Sequence, residues 1–367
     1  MAKCVAGPRA TKQVVGIFGC KSATAAQIYD RSWSVIEAME LADLPVIIFL
    51  CDGARTNRAF FQYHQTEGEE NHIVTKTVNI FSPDGKRILW FMSDAPHLLK
   101  CIRNIFAEDH LWKNGEEISW KSIIDLFYQY KDRTLRKSCK LTENHIKLNN
   151  FSKMKVNPAA QVMSDTVAHN LDELHGDTLK ETITFIRLVD RFFDCLNGHN
   201  TLEGRHHLKP DRNPYTRTDD PRFKFLNDFV NYLKEWREEV MARPGRFSRK
   251  DRKSMTLTQE MFQGIHITVS SFVDAVQYLL GPEVELDFIN SRDLTCQDDL
   301  EQYFEEQRER GKLNNNPSLK QALHNATKIR VKGEVSRCLY KGNTSKKRTE
   351  IELDESPMPR RPKLLRQ

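Results

Sequence analysis

Asp52 is the first acidic residue whose position suggests a chemical role. It follows the apolar run Pro45–Leu50 and precedes Gly53, so a strand that should be buried ends at a carboxylate. Ionised Asp is costly to bury and a poor strand former, and the carboxyl ends of strands are where α/β folds collect ligands and catalytic groups. A Mg²⁺ site for phosphoryl transfer would need further carboxylates. An Asp that only begins a turn is the alternative.

A second carboxylate, Asp94, follows the next apolar run and opens the stretch "DAPHLLK". Pro96 suits a first helical turn, so Asp94 is expected to cap a helix. Free backbone N–H groups at that helix end, together with Lys100, could hold a phosphate. Capping beside a solvated Lys is the simpler interpretation.

Asp298 and Glu301 lie three residues apart in "QDDLEQYFEEQR" and therefore share a face of a predicted helix. Taken alone they fit a surface helix rich in charge. His206, His207 and Asp211 could suggest a metal site, but their polar loop favours exposure to solvent.

The elements that must position these residues begin as strand, helix and strand. A strand is predicted at 13–20, a helix at 22–42 with Ser22 as its N-cap, and a buried, parallel-type strand at 46–50. Ser82–Gly85 ("SPDG") then reads as a turn between two apolar runs.

Helical periodicity dominates from about residue 112 to 240 and again from 259, apart from polar breaks at 197–222 and 243–256. The tail from about 332 is rich in Lys, Arg, Pro and Ser, which predicts disorder. Its basic clusters at 346–348 and 360–363 fit either a bipartite nuclear-import signal or a solvated charged tail.

Composition excludes few functions. An apolar fraction of 39% and a charged fraction of 29% fit a soluble protein, and no run approaches the length of a membrane helix. Eight scattered cysteines without a CxxC pair indicate reduced thiols in an intracellular protein and argue against structural zinc. The net charge of +6 weakly favours an anionic partner.

Several stretches, in order, resemble the P-element/THAP-domain transposase family. In the chain's own letters they are "CDGARTNRAFF", "SDAPHLLKCIRN", "NFSKMKVNPAAQVMSDTVA", "FDCLN", "QGIHITVSSF" and "LTCQDDLEQYFEEQRERGKLNNNP". Any one of these matches is weak, but the ordered set, spanning about residues 13–330, is specific.

The resemblance implies an RNase H-like α/β core interrupted by a mostly helical insertion that binds GTP. It also implies a D-D-E carboxylate set that holds Mg²⁺ for DNA cleavage and joining. By position, Asp52 matches the middle carboxylate and Glu301 the last. The implied nucleotide contacts are Asp94, Lys100 and Asp298, with Asp165 as the residue that reads guanine.

The chain also departs from the family pattern. The acids before Asp52 lie in or just after the predicted helix, so none suits the family's first carboxylate, and no cysteine-rich THAP module is present. Glu305 stands where the family usually has Gly. We therefore expect an N-terminally truncated or domesticated relative. Its expected divisions are an incomplete core at 1–93, the insertion at 94–250, the Glu301-bearing core helices at 251–330 and a disordered basic tail at 331–367.

Three functions follow from these expectations. The first is a transposase-derived protein with impaired DNA cleavage, located in the nucleus, with DNA and GTP as partners, self-association as a further expectation and no membrane. The second is a non-catalytic module that binds GTP or nucleic acid. The third is a fragment of an active transposase whose first carboxylate is encoded upstream.

Overall fold

The computed structural model describes most of the chain. The described residues are 1–5, 12–20, 22–65, 73–131, 140–199, 209–311 and 318–339. The chain divides into two compact units, Met1–Phe304 and Glu305–Gln367. The first unit contains all of the candidate residues.

Short strands and many helices make up these residues. The strands are β1 (Ala2–Lys3), β2 (Lys12–Gln13), β3 (Ile48–Cys51), β4 (Lys76–Val78), β5 (Ile88–Ser93), β6 (Trp112–Lys113) and β7 (Glu116–Glu117). The helices are α1 (Ala25–Glu40), α2 (Arg55–Gln62), α3 (Ala95–Glu108), α4 (Trp120–Lys131), α5 (Glu143–Ile146), α6 (Asn150–Met154), α7 (Val156–Val162), α8 (Asp165–His175), α9 (Lys180–Leu196), α10 (Pro221–Ala242), α11 (Arg249–Ser254), α12 (Gln259–Leu280), α13 (Ser291–Thr295), α14 (Asp298–Arg310) and α15 (Leu319–Leu339). Single 3₁₀ turns occupy Gly176–Leu179 and Pro210–Arg212.

The central sheet has the order β3–β5–β4. β3 runs parallel to β5, with Cys51 opposite Ser93, and β4 runs antiparallel to β5. β5 is buried at every residue after Ile88, which agrees with the continuous apolar run expected of a covered strand. The parallel pairing predicted for the strand before Asp52 is confirmed, as is the turn at Ser82–Gly85, where the Gly85 amide donates to the Ser82 carbonyl.

The strand predicted at 13–20 is wrong beyond its first residue. Only Lys12–Gln13 is extended in a ladder, paired with Ala2–Lys3, and residues 14–20 are irregular. Val15 and Phe18 are exposed, and the Arg31 guanidinium lies 5.5 Å from the centre of the Phe18 ring. Two apolar residues of this segment therefore lie on the outside and the segment does not enter the sheet, which periodicity alone does not reveal.

Helix α1 begins at Ala25, so the predicted N-cap Ser22 is wrong. The Thr24 hydroxyl accepts from the Gln27 amide and the Gln27 side chain accepts from the Thr24 amide, a reciprocal cap of the Ser/Thr-x-x-Gln type. The helix buries Trp33 and Ile36 in a small core with Phe60 and Phe61 of α2. This aromatic core covers one side of the sheet.

Helix α12 covers the sheet next to β5. Thr268 accepts a hydrogen bond from the Ser93 amide at 2.9 Å, and Ser271 donates to the Thr75 carbonyl at 2.7 Å. A Cβ at Gly264 would lie 3.1 Å from a Leu98 methyl. The glycine inside this helix therefore permits close packing against α3.

The segment between β5 and α12 is mostly helical and belongs to the larger hydrophobic core. The helical periodicity does not reveal a break between two helices here: α7 ends at Val162, and the Ser164 hydroxyl accepts from the Val167 amide to begin α8. The predicted α/β core with a mostly helical insertion is confirmed. The division into four segments stays a prediction.

Helix α15 continues to Leu339 and so extends into the segment for which disorder is predicted; the disorder of the tail stays a prediction. The basic clusters at 346–348 and 360–363 lie outside the described residues, as do His206 and His207. No helix within the described part of the chain combines the length and apolarity needed to cross a bilayer.

A buried carboxylate, Glu40, sets where β3 begins. Its Oε1 accepts from the Val46 amide at 2.8 Å and from Asn79 Nδ2 at 2.7 Å, and both of its oxygens contact the Arg87 guanidinium. The Glu40 side chain is 4% exposed and that of Arg87 19%. One side chain thus joins the end of α1, the entry to β3 and the connection between β4 and β5.

We expect Arg87→Met to lower the free energy of unfolding by about 3 kcal/mol, because it leaves a buried carboxylate without its counter-ion. Urea denaturation measures the change. Lys86→Met removes an exposed neighbouring cation and should cost little. Equal losses in the two variants would contradict a structural role for the Glu40–Arg87 pair.

Candidate functional site

The parallel pairing of β3 and β5 places Asp52 and Asp94 side by side at one edge of the sheet. Each residue follows the last residue of its strand, and Cys51 is opposite Ser93 in the ladder. The Asp94 amide donates to the Cys51 carbonyl at 2.9 Å, so the pairing continues to the carboxylates themselves. This is the edge at which ligand sites form in open α/β folds.

Asp52 is exposed and organises the turn that leads into α2. Its Oδ1 accepts from the Ala54 amide at 3.0 Å and from Asn57 Nδ2 at 2.7 Å, while Arg58 donates to the Gly53 carbonyl. Within the described residues its Oδ2 accepts no hydrogen bond. Asp52 therefore begins a turn, as the simpler alternative has it, and still presents one carboxylate oxygen outward. Its metal role stays a prediction.

Asp94 is buried, at 4% exposure, and both of its oxygens are occupied. Oδ2 accepts from the His97 amide at 2.8 Å, which caps α3, and Oδ1 accepts from the Gln297 amide at 2.8 Å. Burial raises the pKa of Asp94 to about 6, and this effect outweighs the two hydrogen bonds, which lower the pKa. The capping prediction is confirmed. The nucleotide contact stays a prediction, and in this arrangement the carboxylate serves the protein's own backbone.

Gln297 joins the Glu301-bearing helix to the two strand ends. Its amide donates to Asp94, and its side-chain Nε2 donates to the carbonyl of Leu50 in β3 at 3.1 Å. The Glu301 amide in turn donates to the Gln297 carbonyl at 3.0 Å. Glu301 is exposed one turn into α14, and its charge contributes to raising the pKa of Asp94. The three acids Asp52, Asp94 and Glu301 thus lie in one region.

The short helix α13, just before Gln297, is fastened to the end of α9. The Thr295 hydroxyl donates to the Leu196 carbonyl, the Ser291 hydroxyl accepts from the Gly198 amide, and the Arg292 amide donates to the Gly198 carbonyl. A Cβ at Gly198 would collide with the Arg212 carbonyl oxygen, so only glycine fits. The position of Glu301 therefore depends on the helical segment as well as on the sheet.

The other predicted nucleotide contacts have different surroundings. Asp298 pairs with Arg292, whose Nε donates to Asp298 Oδ2 at 2.9 Å. Lys100 is half-buried in the second turn of α3, where its charge lowers the pKa of His97, after the larger effect of burial. Lys100 thus lies beside the strand ends, and Asp298 faces α13.

Asp165 occupies a separate cluster on α8 and α9. Its carboxylate pairs with Arg187 Nε at 3.3 Å, and its amide donates to Asp190 at 3.1 Å. Lys209 contacts Asp190 at 2.9 Å and Asp194 at 2.7 Å. The structure gives no contact between Asp165 and Asp52, Asp94 or Glu301, so its assignment to guanine stays a prediction.

The acids at the sheet edge do not make a complete two-metal ligand set. Across the described residues, no group of three or more His, Cys, Asp and Glu side chains is arranged to hold a metal ion. Asp94 uses both oxygens on backbone amides, which leaves Asp52 and Glu301 as the carboxylates open to a cation. Two carboxylates suit a partly hydrated Mg²⁺ but not the pair of ions of a two-metal mechanism.

Gln297 and Asn57 were missed as site residues by reasoning from the sequence. Gln297 was visible as the first letter of the "QDDLE" stretch, and Asn57 as the Asn of "DGARTN". Each holds a candidate acid or its helix in place without carrying a charge. A search of the sequence that considers only titratable residues therefore finds neither of them.

We expect Asp94 to make stability fall as the pH rises from about 4 to about 6. Its native pKa lies above the unfolded value, so the native state holds its proton more strongly, and that stabilisation is lost as the carboxyl ionises. The full effect is about 3 kcal/mol. In urea denaturation across this pH range, the deficit of Asp94→Asn relative to wild type should therefore shrink as the pH rises.

Asp84→Asn provides the control of opposite sign. The Lys86 amide and the Ser82 hydroxyl donate to the exposed Asp84 and lower its pKa, so its contribution is present above about pH 4 and lost below. A parallel pH response of the two variants would contradict the assigned raised pKa of Asp94.

The helical segment between β5 and α12 is similar to a known protein family. Residues 96–209 match the family described as "TNP-like, GTP-binding insertion domain". A similar curated protein is the transposable element P transposase of Drosophila melanogaster, 26% identical over 229 residues. The match covers 61% of this chain and 28% of the relative, so the chain spans less than a third of that protein.

A similar solved structure is the Drosophila P element transposase strand transfer complex. The likeness has a TM-score of 0.66 at 22% identity and covers 82% of this chain and 63% of the solved chain. At that identity it shows the fold alone. Taken together, the chain is similar to P element transposase in sequence and in fold, and its residues 96–209 match the TNP-like GTP-binding insertion domain family.

Proposed function

We propose that this chain binds GTP through its insertion domain and acts on DNA as a transposase-related protein. The match of residues 96–209 to a GTP-binding insertion domain carries the proposal. Because the chain spans less than a third of its curated relative, the relative's whole activity is not transferred to it. GTP binding is the part that this chain's own residues support best.

Lys100 is the residue we assign to the nucleotide phosphates. It lies within the matched segment, on the helix that Asp94 caps, and it is half-buried beside His97. A lysine ammonium is suited to a phosphate group because the contact between the two is a charge-assisted hydrogen bond. Asp165 is assigned to the guanine, because the two oxygens of a carboxylate can accept hydrogen bonds from two adjacent N–H groups of that base.

We expect Lys100→Ala to weaken GTP binding by about tenfold or more, a loss of at least about 1.4 kcal/mol, because a charge-assisted contact to phosphate disappears. Calorimetric titration with GTP measures it. Lys121→Ala, which removes an exposed cation on α4, is the matched control. Unchanged GTP affinity in Lys100→Ala would show that other residues bind the phosphates. A wild type that binds no GTP would overturn the proposal.

The substrate that we infer is double-stranded DNA, with Mg²⁺ at Asp52 and Glu301. When bound, a divalent ion would supply charge stabilisation at the phosphate. The protein's own part is to present the two carboxylates at the sheet edge, with Asn57 and Gln297 holding their surroundings. Function in the nucleus belongs to this proposal.

We expect the purified chain to give no Mg²⁺-dependent nicking of DNA. Two open carboxylates leave a two-metal site short of a ligand, and such a deficit costs transition-state stabilisation. Gel analysis of supercoiled plasmid tests this, with and without GTP. Robust nicking that Asp52→Ala abolishes would contradict the expectation and would indicate a complete site.

The second candidate is a non-catalytic binding module for GTP or nucleic acid. Both Asp94 oxygens accept hydrogen bonds from backbone amides. The acid between the two others at the sheet edge therefore has a structural role, which favours this second function. GTP and DNA binding without nicking, unchanged in Asp52→Ala, would select this function.

A further inference from the structure

A basic segment on the surface, residues 243–254, has no role in the site described above. It carries six cationic side chains and one carboxylate, Asp251. Four of the cations are exposed, namely Arg246, Arg249, Lys250 and Lys253. A charge run of this kind is often only a solvated surface, so its backbone and its neighbours decide whether it is a site.

The backbone of the segment is held by its own side chains. The Arg252 guanidinium donates to the carbonyls of Val240 and Gly245, at 3.0 and 3.5 Å, and also to that of Arg243. It thereby joins the end of helix α10 to the turn that follows it. Ser248 and Asp251 form a reciprocal cap that begins α11. The single carboxylate is thus used in capping.

The half-buried Arg243 adds an aromatic clamp at the start of the segment. Its guanidinium lies 3.9 Å from the centre of the Trp112 ring and 4.6 Å from that of Phe247. Such cation–π contacts fix a guanidinium over a ring. Two arginines therefore hold the fold of the segment, and the four exposed cations project from a constrained backbone.

The segment lies near the sheet edge that carries Asp52. The pKa of Glu260 is lowered, first by its own backbone amide and the Thr258 hydroxyl, and further by the charges of Arg58 and Lys253. The geometry points the same way, because α12 begins at Gln259, five residues after the segment ends, and a Cβ at Gly264 in its second turn would lie 3.8 Å from the Ser93 hydroxyl oxygen at the end of β5. Arg58 also donates to the Gly53 carbonyl, next to Asp52. The basic segment therefore leads into a helix whose first turns pack beside the end of β5, next to the strand that carries Asp52.

We propose that residues 243–254 form a binding surface for the phosphate backbone of double-stranded DNA, which leads the duplex to the edge that carries Asp52. The inference rests on the proposed DNA function and extends it to a surface outside the predicted site. Exposed Arg and Lys side chains on one rigid segment suit a polyanion with closely spaced phosphates. They position the duplex without reading its sequence.

The test uses the full chain and a short labelled duplex of mixed sequence in fluorescence anisotropy, over about 50 to 200 mM salt. The variant combines Arg246→Ala, Arg249→Ala and Lys250→Ala. The control combines Lys86→Ala, Lys121→Ala and Lys234→Ala, three exposed cations outside the segment. Thermal unfolding and GTP titration verify that both remain folded.

We expect the variant to bind DNA about tenfold or more weakly at low salt, with a log–log salt slope flatter by about 0.9 for each phosphate that the protein no longer neutralises. The control should match wild type. Equal losses of DNA affinity in the variant and the control, or an unchanged affinity in the variant, would overturn the inference. DNA binding by the wild type would still leave the proposed function standing in that case.

Two further outcomes would also be decisive. A wild type that binds GTP but no duplex overturns the DNA part of the proposed function and this inference with it. Displacement of the duplex by polyglutamate as effectively as by unlabelled DNA of equal charge overturns the assignment to nucleic acid and indicates an acidic polypeptide partner instead.

Discussion

The contact between Asp94 and Gln297 is the interaction on which the arrangement of the candidate site depends. One buried carboxylate accepts amides from its own helix and from a residue 203 positions away. Burial disfavours the charge, yet breaking either bond would leave a buried backbone N–H without a partner, which is also costly. Loss of either hydrogen bond would therefore destabilise three elements at once: the end of β5, helix α3 and the start of the helix that bears Glu301.

The same junction couples the sheet to the helical insertion. Just before Gln297, α13 is bonded to Leu196 and Gly198 at the end of α9, so the helix that bears Glu301 is fastened at two places. A displacement of α9 would strain the contacts of Thr295 and Ser291, and through them the Gln297 bonds to Asp94 and Leu50.

Reasoning from the sequence succeeded where the determining forces are local. The apolar run before Asp52, the turn at Ser82–Gly85 and the cap at Asp94 each follow from residue types within a few positions. It failed at residues 13–20 because strand formation needs a partner with free edge groups, which an apolar pattern does not specify. It missed Gln297 for a related reason, because the residue acts through a backbone bond across 203 positions. The prediction that Asp52 and Glu301 act as a pair came from the resemblance to a family, since spacing along the chain does not suggest it.

The charges around the edge explain why cations should lie close to it. Asp52, Asp94 and Glu301 lie in one region, and Glu301 already contributes to raising the pKa of Asp94, so a polyanion approaching this edge meets like charge. Interactions between exposed charges fall off over about 10 Å at moderate salt, so compensation must come from neighbouring cations. Arg58, which donates to the Gly53 carbonyl, and the exposed cations of residues 243–254 are suited to supply that compensation. The acidic edge and the basic segment are then two parts of one electrostatic arrangement, in which cations attract the phosphate chain that the carboxylates alone would repel.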